Sequence, residues 1–288
     1  MRPSLLLFAS LLVACAAREA VAPPIERVSP HMPASPPAPR MPSVVPVSAP
    51  PPSMPEPPAL AATEPFVELE VEGFEPAVVS MPLGAREPRP VLVATHGAGG
   101  RATTHCERWR AIVGDRGFVL CPRGRSMYPY LESRDEGRYY YPGHPTLGAE
   151  IAAAFAALER RFTPHVDPQS PIFAGYSQGA SMGALVLPDH GVGFGRAVLV
   201  EGGVGEHQEW NVTVATRFRE QGGERVLFVC GRLACYESAQ TSAGYLRRGG
   251  LAVDVAYASG AGHTYAGAVG DLLRERFAWL VEGDARWR

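Results

Sequence analysis

The sequence contains no lysine: all 27 basic residues are arginine, set against 29 acidic residues for a formal net charge of −2. A chain so close to neutral gives no electrostatic reason to expect nucleic acid or an anionic membrane surface as a partner. No pair of histidines has the helical spacing of metal ligands. The sequence therefore predicts neither a bound metal nor a cofactor, and it argues against nucleic-acid binding.

A long membrane-spanning run is also missing from the N-terminus. Residues 1–15 contain one early arginine, Arg2, and an apolar segment from Leu5 to Val13 that is too short to cross a bilayer, a pattern typical of a signal peptide. The segment ends in the letters LVAC, which resemble the lipobox of bacterial lipoproteins and make Cys15 the predicted lipidation site. We therefore expect an exported bacterial lipoprotein, periplasmic or at the cell surface and anchored to a membrane through Cys15. The alternative is an ordinary signal peptide with a chance cysteine.

Residues 16–62 have little that could form a core. Of the 29 prolines in the chain, 15 lie between Pro23 and Pro58, with few aromatic or periodic apolar residues among them. Such a composition favours extended polyproline II and cannot bury enough surface to fold. We predict a disordered linker that holds a domain away from a membrane; a proline-rich ligand for a partner is the less favoured interpretation.

From residue 63 to residue 288 the pattern changes to short apolar segments that alternate with helical spacing. The run PVLVATH at residues 90–96 lacks polar alternation, which is typical of a buried parallel strand, whereas residues 66–72 and 77–81 resemble an antiparallel entry hairpin. Repeated strand–helix units predict an α/β fold with a mostly parallel, twisted sheet of about seven to eight strands and helices on both faces.

A G-x-S-x-G motif, GYSQG at residues 175–179, follows a predicted strand and precedes a predicted helix. On such a strand–turn–helix the serine hydroxyl is exposed at the carboxyl end of the sheet, so we expect Ser177 to be a nucleophile. The amide of Gln178, at the helix N-terminus, is then placed to stabilise a developing oxyanion. The alternative is a tight turn with an idle serine.

Two further motifs occur in the expected order. HGAGG at residues 96–100 closes the first parallel strand and matches a loop that supplies a second oxyanion amide, here from Ala98, with His96 supporting the loop. GHT at residues 262–264 follows the last predicted strand, where the general base of a Ser–His pair is expected, so His263 is the candidate base.

These three motifs make residues from about 66 to 288 resemble the α/β-hydrolase superfamily, closest to dienelactone hydrolases, phospholipase/carboxylesterases and polyhydroxybutyrate-depolymerase-like esterases. In those families a G-x-x-D turn after the strand before the last supplies the triad acid. Here the turn reads GRLAC at residues 231–235, without a carboxylate before Glu237. Glu201, at the end of the preceding strand, is the favoured replacement; Glu237 and the loss of any functional acid are the alternatives.

Aromatic residues concentrate in an insertion between Arg123 and His144, which contains five tyrosines, namely Tyr128, Tyr130, Tyr139, Tyr140 and Tyr141. The insertion follows the second parallel strand, so it should overhang the serine. Long loops at this end of a sheet bind substrate in many enzymes, and we expect Tyr128, Tyr130 and Tyr140 to line the substrate site. An Ω-loop that packs on its own tyrosines is an equal alternative.

Four cysteines remain after Cys15, and export would place them in an oxidising compartment. Sequence alone permits three pairings of four cysteines. Cys106 and Cys121 are expected at the same carboxyl edge of the sheet, and Cys230 and Cys235 flank one short turn. We therefore predict the disulfides 106–121 and 230–235.

The sequence favours a serine hydrolase that acts on small or polymeric carboxylic esters through an acyl-enzyme. A serine peptidase or a polyester depolymerase on the same fold is the enzymatic alternative. An inactive hydrolase-like domain used as a surface binding module is the alternative from another class, and the missing acid in the GRLAC turn is its main support.

Overall fold

The computed structural model describes residues 58–131, 133–134, 136–189, 191–205 and 209–288. Its centre is one sheet of eight strands, and two short strands form a separate hairpin. The strands are β1 (Phe66–Leu69), β2 (Ala77–Ser80), β3 (Val91–Thr95), β4 (Phe118–Cys121), β5 (Arg125–Ser126), β6 (Tyr139–Tyr140), β7 (Ile172–Tyr176), β8 (Arg196–Val200), β9 (Arg225–Cys230) and β10 (Ala252–Tyr257).

The strands of the large sheet are ordered β1-β2-β4-β3-β7-β8-β9-β10. From β4 to β10 every neighbouring pair is parallel, and only β1 and β2 enter antiparallel. Because parallel strands share a direction, the loops that leave β3, β7, β8, β9 and β10 all emerge at one edge of the sheet. This carboxyl edge carries the three chemistry-bearing motifs of the sequence.

Helices cover both faces of the sheet, as predicted: α1 (Ala102–Val113), α2 (His144–Phe162), α3 (Gln178–Val186), α4 (Val212–Glu220), α5 (Leu233–Arg248) and α6 (Gly267–Val281). On one face, apolar residues of α2, α3, α4 and α5 pack with alternate strand residues such as Phe173. On the other face, Trp109 of α1 and Phe277 of α6 pack over Ile172 and Ala174. The central strands β3, β4, β7, β8 and β9 are buried at nearly every residue, which explains their apolar runs.

Several element boundaries differ from the sequence prediction. The helical spacing of residues 237–248 and 264–280 predicts the last two helices. In the structure α5 begins at Leu233, so Cys235 lies in its first turn, and α6 begins at Gly267. Within the tyrosine insertion, β5 and β6 form a small antiparallel ladder that the sequence pattern did not indicate. At the start of the domain, Leu60 is already buried and its amide donates to the Ala85 carbonyl.

Cys15, the candidate linker up to residue 57, and the histidines at 190 and 207 lie outside the described residues. Within the described part of the chain, no helix combines the length and the apolar character that crossing a bilayer requires.

Candidate active site

Ser177 lies in a tight turn between β7 and α3, and neighbouring backbone segments pack closely against this turn. Its backbone has φ 51° and ψ −118°, a conformation that costs a residue with a side chain about 1–3 kcal/mol. Two neighbours permit the turn: the Ser177 amide donates to the Val200 carbonyl at 2.9 Å, and Gly179 has no side chain to obstruct it. A Cβ on Gly179 would lie 2.5 Å from the Thr95 carbonyl oxygen. The glycine in the motif is therefore required by packing, and the turn exposes the serine hydroxyl.

His263 lies in the loop after β10 and faces Ser177. Its Nε2 is 2.8 Å from Ser177 Oγ, and the serine hydroxyl donates this hydrogen bond when the ring proton is on Nδ1. The loop is held by Tyr176, whose hydroxyl donates to the His263 carbonyl at 2.9 Å and whose ring packs 5.3 Å from the imidazole. With 40% of its side chain exposed, His263 is accessible to a substrate.

Glu201 follows β8 and completes the hydrogen-bonded chain. Its Oε2 accepts a hydrogen bond from His263 Nδ1 at 2.8 Å, so the predicted contact is present. Like Ser177, Glu201 has a positive φ, 53°, which turns the side chain off the strand and towards the histidine. Its side chain is fully buried. Glu237, the other candidate acid, is exposed on α5.

The Glu201 carboxylate is held by the turn that would carry the acid in the families named above. The amides of Gly231 and Arg232 donate to Oε1 at 2.5 and 3.0 Å, and the Arg232 guanidinium Nε donates to Oε2 at 2.6 Å. From the sequence alone, Glu201 could also be a loop carboxylate capped by the amides of Gly202 and Gly203. In the structure its carboxylate instead binds donors of the turn after the neighbouring strand β9. Burial acts to raise the pKa of Glu201, but the hydrogen bonds from Gly231, Arg232 and His263 outweigh burial and leave the pKa below its usual value.

Both predicted disulfides are present. Cys106 of α1 bonds Cys121 of β4, with Sγ atoms 2.32 Å apart, and Cys230 bonds Cys235 with Sγ atoms 1.98 Å apart. The second disulfide closes the GRLAC turn, and a Glu201 carboxylate oxygen lies within 4.8 Å of both of its sulfurs. Because these sulfurs are bonded to each other, they offer no thiolate to a metal.

The two candidate oxyanion donors lie on adjoining segments. Gln178 is the first residue of α3, where helical geometry leaves the backbone amide without an intrahelical acceptor. The HGAGG loop packs directly against the serine turn, since a Cβ on Gly97 would lie 3.1 Å from Ser177 Cβ. Ala98 follows in the same loop and is exposed. The geometry thus brings both predicted donor residues next to the serine.

His96 supports the HGAGG loop, as the sequence indicated. Its ring is buried, stacks on Tyr141 with centroids 4.8 Å apart, and lies 2.8 Å from the carbonyls of Gly97 and Arg123. Burial lowers the pKa of His96, although both carbonyl contacts act to raise it. In the neutral ring only one of the two contacts is a hydrogen bond, because only one nitrogen carries a proton.

The tyrosine insertion has two parts with different environments. Tyr139 and Tyr141 are buried, and the Tyr141 amide donates to the Gln178 side chain at 2.9 Å. The Gly99 amide donates to the Tyr139 carbonyl at 2.8 Å, so the insertion is bonded to the oxyanion loop. Tyr128 and Tyr130 are exposed, with ring centroids 5.9 Å apart, and Tyr140 is half-buried. One set of tyrosines therefore packs internally, as in the Ω-loop alternative, and the other faces solvent; the substrate role of Tyr128, Tyr130 and Tyr140 stays a prediction.

Three residues around the site carry no sequence signal that would have identified them. Arg232 binds the Glu201 carboxylate, and Tyr176 fixes the histidine loop. Glu150 of α2 is buried, and its Oε1 accepts from the Gly124 amide at 2.8 Å. Burial raises the pKa of Glu150 to about 7. Tyr176 is the variable position of G-x-S-x-G, and a glutamate within an alanine-rich helix is unremarkable; only their contacts reveal them.

No protein-family model matches the sequence, and a search of curated proteins found no similar chain. Solved structures do match. Protein TT1662 from Thermus thermophilus has a TM-score of 0.54 at 17% identity, over 76% of this chain and 98% of that one. Fluorophosphonate-binding serine hydrolase F of Staphylococcus aureus, solved with substrate bound, has a TM-score of 0.54 at 16% identity, over 75% and 97%. An esterase of Pyrobaculum calidifontis has a TM-score of 0.50 at 16% identity, over 77% and 83%.

The strand order, the helices on both faces and these matches together show that the chain has the α/β-hydrolase fold. The fold places the serine turn, the histidine loop and the end of β8 at one edge of the sheet. At that edge Ser177, His263 and Glu201 form a continuous hydrogen-bonded chain.

Proposed function

We propose that the chain is a serine hydrolase that cleaves carboxylic esters through an acyl-enzyme on Ser177. The observation that carries the proposal is the complete chain from Ser177 Oγ to His263 Nε2 and from His263 Nδ1 to Glu201 Oε2, each link 2.8 Å long. An inactive binding domain would have no need for a strained serine, an aligned imidazole and a buried acid together.

In the proposed reaction, Ser177 Oγ attacks the ester carbonyl carbon while His263 Nε2 takes the serine proton. The Glu201 carboxylate keeps the Nδ1–H tautomer and stabilises the imidazolium. The amides of Ala98 and Gln178 are proposed to bind the oxyanion of the tetrahedral intermediate. His263 then protonates the departing alcohol oxygen. Water, deprotonated by the same imidazole, hydrolyses the acyl-enzyme and regenerates Ser177.

The exposed tip of the tyrosine insertion supports a substrate with an apolar or aromatic portion. Four of the exposed large apolar side chains lie within this one loop: Met127, Tyr128, Tyr130 and Leu131. The loop is bonded to the oxyanion loop through Gly99 and Tyr139. We propose that Tyr128, Tyr130 and Tyr140 contact the acyl or alcohol group, and the openness of the tip also suits a polyester chain lying across the surface as a second candidate substrate. The peptidase alternative has no comparable support.

Labelling with a fluorophosphonate probe tests the proposal, followed by hydrolysis of p-nitrophenyl esters of graded acyl length. Wild type is expected to be labelled and to turn over at least one ester, and Ser177→Ala should do neither. Ser181→Ala is the matched control, because Ser181 lies one helical turn further along α3, where its hydroxyl accepts from the Gly203 amide. Absence of labelling in a folded wild type would contradict the proposal and favour the binding domain.

A further inference from the structure

Arg232 contacts the proposed triad at its acid. Its guanidinium Nε donates to Glu201 Oε2 at 2.6 Å. The same oxygen accepts the hydrogen bond from His263 Nδ1 at 2.8 Å. A fixed positive charge and the catalytic imidazole therefore share one carboxylate oxygen.

We propose that Arg232 is a positioning residue that lowers the proton affinity of His263 through this shared carboxylate. An anionic partner favours the protonated form of an imidazole, and an arginine bound to that partner neutralises part of its charge. His263 would then stay neutral, and able to act as a base, at lower pH than with a glutamate alone. The inference rests on the proposed function only in taking His263 as the general base.

Other donors also hold the Glu201 carboxylate, so the effect of the Arg232 charge can be tested separately from the orientation of the acid. Backbone amides of Gly231 and Arg232 hold Glu201 Oε1, and substitution of the Arg232 side chain leaves both amides in place. The Cys230–Cys235 disulfide closes the turn that carries them. Removing the side chain should therefore change the charge beside the acid while the Glu201–His263 hydrogen bond remains.

Among the residues that the structure describes, the other groups around the pair do not supply this effect. From β7, Tyr176 faces His263; burial, together with the nearby Tyr265 and Glu201, raises the pKa of Tyr176 to about 12. Burial also raises the pKa of Tyr265, in the histidine loop, so both phenols stay neutral in the working range. From α1, Arg108 lies 4.6 Å over the Tyr265 ring rather than on the acid. From the β9–α5 turn, the disulfide sulfurs do not titrate.

The first test is the pH dependence of kcat/KM for p-nitrophenyl acetate in Arg232→Gln and Arg232→Lys. We expect the Gln variant to move the acidic limb upward by about half to one pH unit, a modest shift because 45% of the Arg232 side chain is exposed and screened. Its plateau kcat should remain within a few-fold of wild type. The Lys variant, which keeps the charge, should leave the limb near its wild-type position. Arg217→Gln, which removes an arginine paired with Asp189 on the surface, controls for net charge and should not move the limb.

An unmoved limb in Arg232→Gln would overturn the proposal. So would an equal loss of plateau activity in the Gln and Lys variants without a shift, which is the result expected of a purely structural contact.

The second test follows the His263 ring by NMR titration in a Ser177→Ala background, with the signal identified by its loss in His263→Gln. Adding Arg232→Gln should raise the titration midpoint of the ring by the same half to one unit. This measurement requires no turnover. A shifted midpoint would uphold the inference even if the wild-type protein hydrolysed no ester, a result that would contradict only the proposed function. An unshifted midpoint would overturn the inference whatever the activity of the wild type.

Discussion

Glu201 Oε2 lies 2.8 Å from His263 Nδ1, although the acid comes from the end of β8 and not from the turn after β9. The β9 turn instead provides donors to the acid, through Gly231 and Arg232. A carboxylate at the end of β8 reaches the histidine, as one in the turn after β9 would, because β8 and β9 are parallel neighbours whose carboxyl ends adjoin. The hydrogen-bonded geometry of a triad is therefore kept, and the turn after β9 holds the acid instead of supplying it.

Loss of the Glu201 charge should be costly for catalysis. Glu201→Gln is expected to preserve the fold and to lower kcat by about 10²–10⁴, because the imidazole loses the acid that fixes its tautomer and stabilises its cation. Steady-state kinetics on an activated ester measure the effect. Glu237→Gln, at an exposed position on α5, is the matched control and should be nearly silent. The assignment is wrong if the two variants behave in the opposite way.

The two disulfides should have different effects when removed. Replacing Cys230 and Cys235 by serine should lower kcat, because the turn that donates to Glu201 is no longer closed. Replacing Cys106 and Cys121 should cost about 3 kcal/mol of unfolding free energy, from a loop of 15 residues in the chain-entropy model, with kcat nearly unchanged. Denaturant unfolding and ester kinetics on both double variants separate the outcomes; equal effects on kcat would contradict the distinction.

The exposed tyrosines should act on substrate binding rather than on chemistry. Tyr130, 76% exposed at the tip of the insertion, is expected to contact only the larger substrates. Tyr130→Ala should therefore raise KM several-fold for long-chain or aromatic esters, by about 1 kcal/mol of lost apolar contact, and leave acetyl esters unaffected. Val212→Ala, at an exposed apolar position on α4, is the control. A uniform change across all chain lengths would argue against a substrate role.

Glu150 should make stability depend on pH. Burial raises its pKa from 4.5 to about 7 in the folded chain, so the folded state holds this proton more tightly than the unfolded state does. Protonated Glu150 therefore contributes fully to the free energy of unfolding below about pH 4.5. This contribution, about 1–3 kcal/mol, is lost as pH rises towards 7.

Glu150→Gln keeps an oxygen acceptor for the Gly124 amide and removes the titration. The variant should therefore lose less stability than wild type between pH 5 and pH 8, as measured by urea unfolding at both values. Glu220→Gln, exposed at the end of α4, should retain the wild-type pH dependence. Parallel curves for wild type and Glu150→Gln would show that Glu150 is not the responsible group.

The predicted anchor at Cys15 is tested in cells. Wild type should fractionate with membranes and carry a mass increase from acyl chains, and Cys15→Ser should move the protein to the soluble fraction. Metabolic labelling with a palmitate analogue provides the direct measurement. An unlabelled wild type that is nevertheless exported would indicate an ordinary signal peptide.

Local pattern alone determined the fold class and the order of the main elements. Continuous apolar runs predict buried parallel strands. The patterns at residues 172–176 and 212–220 predict a strand and a helix with the bounds that β7 and α4 have in the structure. Ser177 and His263 could be singled out from the sequence because their motifs contain glycines, which permit the tight backbone turns that these motifs require. Helix starts were less visible: α5 and α6 begin elsewhere than predicted, since neither has a side-chain cap that would mark its first turn.

Only the tertiary structure showed which carboxylate contacts His263 and what surrounds it. The sequence left Glu201, Glu237 and no acid as alternatives. Whether a carboxylate on another strand reaches the histidine depends on the strand order and on the φ angle of that residue, and local periodicity predicts neither. The same holds for Arg232, which meets Glu201 from 31 positions away. Contacts between the ends of neighbouring parallel strands are distant in sequence, and only the folded sheet brings them together.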